Sequence, residues 1–200
     1  MSQIMDGRGV SWTVANEALA SDLFGAIDSY FYFRTDALSK LDTLLEADPE
    51  CPGAWVLQGY LLMFARSAKL IPKAGAAQRN AADLSGISTP RERAHVAALG
   101  AWVAGDVLLA QRIWDEILTD NPLDLLALRV QHFNAMFLGR PDHLRSAMTR
   151  SIADWDDATP GSGLVYGMTC MALEEVGDYE RAEYIGRCGA ELEPDDLWCI

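Results

Sequence analysis

One spacing recurs along this chain and narrows what it can fold into. In GDYERAEYIGRCGAELEP, Gly177 is followed five residues later by Ala182 and, twelve residues after that, by Pro194. GDVLLAQRIWDEILTDNP keeps those intervals with Gly105, Ala110 and Pro122, and sets Trp114 and Ile117 between them. Ala37, Leu41, Leu44 and Pro49 repeat the pattern with Gly25 upstream, and Trp55 followed by Gly59 supplies the opening half of another copy. Aligned, the copies begin near Ala18, Pro52, Arg91, Leu125 and Gly163, with steps of 34, 39, 34 and 38 residues. The longer steps fall around SAKLIPKAGAAQ and ADWDDATPGSG, where Pro and Gly mark extended connections.

A period of this length marks a two-helix unit that cannot bury its apolar face alone and stacks on its neighbours instead. Small residues let helices approach at crossing points, while Trp114 or Leu41 fills the space one turn along. Gly105 and Gly177 sit where the chain reverses between helices and favour positive φ. The prolines end each second helix. The expected fold is therefore all-α, a right-handed solenoid of about five helix–turn–helix repeats. Residues 1–17 form an N-terminal segment ahead of a superhelical domain over 18–200. The units lie near 18–51, 52–90, 91–124, 125–162 and 163–196, and the chain stops at the threshold of a sixth. Gly186 and Gly189 stand where Trp114 and Ile117 stand two units earlier. A glycine inside a helix costs about 0.5–1 kcal/mol relative to alanine, so the pair predicts a close approach there, by a sixth unit.

The period and its small/large pattern match the tetratricopeptide repeat. A narrower resemblance lies in RERAHVAAL (Arg91–Leu99) followed by Gly105–Arg129, which is similar to the centre of the tetratricopeptide repeat protein 38 family, including its StaR-like members. Asn16-Glu17-Ala18, Leu138-Gly139, Leu173-Glu174-Glu175, Asp178-Tyr179, Ala182-Glu183 and Pro194-x-Asp196-x-Trp198 extend it along the chain. The resemblance implies an interaction scaffold without an established reaction. It also implies a further helical half, rich in histidine, after Trp198; the chain then reads as a fragment or truncated product, and none of those histidines is carried over.

Composition removes several functions. There are 29 acidic and 16 basic side chains, a net charge of −13, so phosphate backbones and anionic headgroups are repelled. MSQIMDGRGVSW lacks the apolar run of a secretory signal, and AWVLQGYLLMFA is about half the length that spans a bilayer. Cys51, Cys170, Cys188 and Cys199 form no C-x-x-C pair and read as reduced thiols in a cytoplasmic protein.

Catalytic patterns are missing too. No G-x-S-x-G, Walker loop or Rossmann glycine motif occurs, and His95, His132 and His143 lack the i, i+4 spacing of a helical metal site. His132 reads as a hydrogen-bonded core histidine. Asp154, Asp156 and Asp157 read as a solvated loop. Glu174 and Glu175, near a helix end where acids oppose the dipole, are more notable, but nothing in the sequence fixes their separation or raises a pKa. The chain reads as a non-enzyme with no catalytic residue, metal or cofactor.

A binding role is assigned instead to the concave face lined by first helices. The inward positions are Tyr60, Met63, Phe64, His95, Leu99, Trp102, Arg129, Phe133, Met136, Phe137, Met168, Met171 and Glu174, an apolar groove rich in methionine and aromatics. His95 would make its polarity sensitive to mild acid. Repeat proteins that clamp an acidic C-terminus carry basic residues at such places; here trial registers place Asp22, Ala26, Leu57, Glu92 and Val96, or Val56, Tyr60, Val96, Leu126 and Val130, and the clamp fails. The expected partner is a protein or peptide, an amphipathic helix or the protein's own missing half, with self-association through an uncapped last helix. The alternative is an enzyme or small-molecule site completed by that half.

Overall fold

A computed structural model describes residues 1–198. It divides into two compact units, Met1–Ile117 and Leu118–Ile200. The class is all-α, built of helix–turn–helix pairs of the solenoid kind, with one addition at the N-terminus.

That addition opens the first unit. Strands β1 (Ser2–Met5) and β2 (Ser11–Val14) pair antiparallel, Ser2 opposite Val14 and Met5 opposite Ser11. The Asp6 carboxylate holds the turn by accepting from the amides of Arg8 (2.9 Å) and Val10 (3.0 Å). Helix α1 (Glu17–Phe31) follows, its first turn capped by the Asn16 side chain accepting from Leu19 N. Next come α2 (Ala37–Ala47), α3 (Pro52–Phe64), α4 (Ile71–Asp83) and α5 (Pro90–Val103). Thr89 and Glu92 form a reciprocal capping box at the start of α5. Helix α6 (Val107–Asp120) begins in this unit. Within it, α1 packs on α2 and α3 on α4, while α5 seats against both α3 and α4.

The second unit holds α7 (Leu125–Phe137), α8 (Pro141–Ser151), α9 (Ser162–Glu174) and α10 (Tyr179–Leu192). The pairs α7–α8 and α9–α10 pack side by side, and α9 also lies on α8.

Each intra-pair turn uses the same device. Gly105 (φ 86°) and Gly177 (φ 79°) adopt the left-handed conformation, as do Gly139, Phe33 and Arg66 in the other three turns. After α5, Asp106 N donates to Ala101 O and Gly105 N to Trp102 O; after α9, Asp178 N donates to Leu173 O and Gly177 N to Glu174 O. This is the Schellman arrangement, which satisfies the last carbonyls of one helix while reversing the chain. Pro52, Pro90 and Pro141 occupy the first turns of α3, α5 and α8, where a missing N–H costs nothing.

Helix α9 approaches one glycine of α10 closely. A Cβ on Gly163 of α9 would stand 2.3 Å from Glu193 Cβ and 3.1 Å from the carbonyl oxygen of Gly189. The Gly189 carbonyl is thus in close approach to α9. Gly186 lies one turn away, at the edge of an open groove.

Candidate partner-binding groove

In the first unit, the structure moves three expected groove residues into the core. Tyr60, His95 and Leu99 are fully buried. The Tyr60 hydroxyl accepts from Trp114 Nε1 at 2.9 Å and lies 2.9 Å from His95 Nδ1. Trp102, half-buried, meets Trp114 edge-to-face at 5.6 Å. The expectation that these aromatics line an open groove fails for a plain reason: the second helix α6 supplies their partner, an indole that needs an acceptor. His95 therefore cannot tune the polarity of an open surface. Met63 and Phe64 are half-buried, and Phe64 meets Tyr30 and Phe33 of the preceding pair at 6.4 Å each.

The chain's own hairpin also rests on these first helices. The Trp12 ring lies within 2.7 Å of where a Gly53 Cβ would stand, and the Arg91 guanidinium sits 4.2 Å above it. Buried Glu92 accepts from Thr13 N (2.8 Å), Thr13 Oγ1 (2.7 Å) and Thr89 N (2.8 Å). Glu92 is a structural anchor that ties β2 to α5.

In the second unit, Arg129, Phe133 and Met168 are buried, another correction to the groove assignment. The Arg129 guanidinium lies over Phe133 at 5.0 Å, and Phe133 in turn meets Trp198 at 5.5 Å. Met136 is half-buried, and Phe137, 41% exposed, stacks on Phe133. Met171 and Glu174, both assigned to the groove, meet in a concavity. They line an open groove of about 600 Å³ between α9 and α10, with Cys170, Tyr179, Ala182, Glu183, Gly186, Arg187, Leu197 and Trp198. Its floor is apolar or small. On its rim Glu183 holds Arg187 at 2.7 Å, whereas Glu174 is exposed.

Little here is poised for chemistry. Burial, reinforced by Glu174 and Asp196, pushes the Cys170 thiol up, which keeps it protonated and poorly nucleophilic. Burial pushes Cys51 up to about 12. His132 is buried, as expected, but its Nδ1 has no partner among the described residues, and burial with the nearby Arg129 charge pushes its pKa down to about 3. Asp156 and Asp157 are spent on structure: Asp156 accepts from Ala158 N and Thr159 Oγ1, and Asp157 from Tyr166. Among the described residues, no group of three or more His, Cys, Asp or Glu could hold a metal ion. No helix among them is long and apolar enough to cross a membrane.

Sequence reasoning missed Cys170, Ala182 and Gly186 as groove residues. The signal was present in the register. Cys170 stands seven residues after Gly163 as Gly59 stands seven after Pro52, and Gly186 stands four after Ala182 as Trp114 stands four after Ala110.

No known family profile matches the chain. Among solved structures it is similar to the crystal structure of the MamA protein, at 17% identity over 89% of this chain and 93% of that one, with a TM-score of 0.47.

Proposed function

We propose that this chain is a protein-interaction scaffold whose α9–α10 groove takes a peptide or helix from a partner. The observation that carries the reading is that groove. It is a concavity with an apolar floor and a charged rim, bordered by half-buried Met171 and Trp198. Apolar concave surfaces with a few polar rim groups are where partners bind. The five helix pairs are five repeats of one domain, and the resemblance to the tetratricopeptide repeat protein 38 family supports the scaffold reading over catalysis. Free thiols at Cys51, Cys170 and Cys188 suit a reducing, cytoplasmic setting. The net charge of −13 disfavours nucleic acid and anionic membrane as partners.

The test is selection of a displayed random-peptide library on the chain, with counter-selection on a Cys170→Trp variant whose groove is filled. Binders that lose affinity on the filled variant, with melting temperature unchanged, support the reading. A library that yields only binders indifferent to the filling refutes it.

A further inference from the structure

The two edges of the N-terminal hairpin are treated unequally. Along β2 the backbone groups that face away from β1 belong to the odd-numbered residues, and side chains from beyond the hairpin engage them. Arg91 Nη2 donates to Ser11 O at 2.9 Å, Thr13 N donates to Glu92 at 2.8 Å, and Ala15 N donates to Asp48 at 3.0 Å. Trp12 and Val14 therefore turn their N–H and C=O groups towards β1, where the register sets them opposite Ile4 and Ser2. The alternation leaves Gln3 and Met5 with both backbone groups pointing outward. Among the described residues no hydrogen bond reaches those groups.

Strand β1 is thus the open edge of a sheet whose other edge is closed. It lacks most of the features that keep such edges apart: SQIM has no charge and no proline, and it pairs with β2 in unbroken register, without a bulge. Met5 is 67% exposed and Ile4 half-buried. The edge is also held in place before anything docks, because Glu92 and Asp48 fix β2 to the helical pairs, which lowers the ordering cost of adding a strand. Shortness is the one protection left, and it limits how strongly the edge can pair.

The edge is complementary to itself. When two copies lay β1 against β1 antiparallel about a two-fold axis, Gln3 of each exchanges both hydrogen bonds with the partner's Met5, and every outward group of both strands is satisfied. Ile4 then meets the partner's Ile4 in the close, non-hydrogen-bonded pair between them. Charge permits the contact here, although the chain carries −13. Residues 1–5 have no charged side chain, and Arg8 neutralises Asp6 at 2.7 Å. We infer that a second copy of this chain docks on β1, joining two hairpins into one four-stranded antiparallel sheet. Four backbone hydrogen bonds and one isoleucine pair make a small interface, so the dimer is weak and reversible, with a dissociation constant on the order of 0.1–1 mM.

The test is sedimentation of the full chain in about 0.5 M salt, which screens the repulsion between two acidic copies, at concentrations rising through about 1 mM. The weight-average mass should climb from 21.9 kDa towards twice that value. Gln3→Pro removes an outward N–H from each edge and none from the β1–β2 ladder. It should weaken association at least about tenfold, while amide protection at Thr13 stays as in the native chain. Ile4→Cys reads the register. Under mild oxidation it should give a dimer joined through residue 4 of both copies, identified by peptide mass, several times faster than Met5→Cys, whose thiols stand two residues out of step. A chain that stays monomeric throughout the range overturns the inference. So does a dimer that Gln3→Pro leaves intact, which would place the contact on another face. If Gln3→Pro loosens the hairpin and Thr13 loses its protection, the crosslink decides: a residue-4 disulfide that forms no faster than one at residue 5 overturns the inference.

Discussion

His132 makes the folded chain sensitive to acid in a way that can be worked out in advance. The ring lies on α7, fully buried, with Nδ1 unpartnered among the described residues and Arg129 nearby on the same helix. Burial and then the Arg129 charge push its pKa from 6.5 down to about 3. Because the folded value is below the unfolded one, the unfolded chain takes up the proton first as pH falls. The stability this neutral ring permits is therefore complete above pH 6.5 and is lost progressively as pH drops towards 3. One proton of difference changes stability by about 1.4 kcal/mol per pH unit. Between pH 7.5 and 5.0 the loss comes to about 2 kcal/mol, since only the part of that window below 6.5 contributes fully. The assay is urea unfolding at both pH values for the native chain and for His132→Leu. Both carry the same carboxylates, so the difference between their pH responses isolates this ring. The native chain should lose about 2 kcal/mol more than the variant. Equal responses, or an imidazole titrating near 6.5 in the folded chain by NMR, would refute the reasoning.

Three further outcomes follow from packing. Gly163→Ala should lower the melting temperature despite alanine's better helix propensity, because its Cβ meets the backbone N of Glu193 at 3.0 Å as well as the side chain; a stabilised variant would show that α9 and α10 have room to part. Ala110→Leu, at a fully buried position on α6, should cost about 1–3 kcal/mol by overpacking, read as a shift in urea midpoint, and no shift would place Ala110 outside the crossing. Glu92→Gln puts an amide NH2 among four donors and should cost about 2–3 kcal/mol. Amide exchange at Thr13 should quicken by well over tenfold, and unchanged protection there would mean that the hairpin does not depend on this carboxylate.

What the sequence determined by itself is the local and the periodic. The recurring interval from a turn glycine to a small residue to a proline states where helices reverse and end, because φ preference and the missing proline N–H act within a few residues of the chain. Gly105 and Gly177 could be assigned positive φ without any knowledge of their neighbours. The periodicity also marked which residues share a helix face. It did not say what covers that face, and there the tertiary structure decided. Tyr60, Leu99 and Phe133 face inward, as their register requires, yet they are core: Trp114, 54 residues away, brings an indole N–H that the Tyr60 hydroxyl satisfies. The N-terminal hairpin was invisible for the same reason. Its two four-residue strands have little local stability, and they are fixed by Glu92, 79 residues from Thr13 in sequence. Gly186 and Gly189 look alike in the sequence. Only the fold separates them, since the Gly189 carbonyl lies close to Gly163 of α9 while Gly186 lines the groove between α9 and α10.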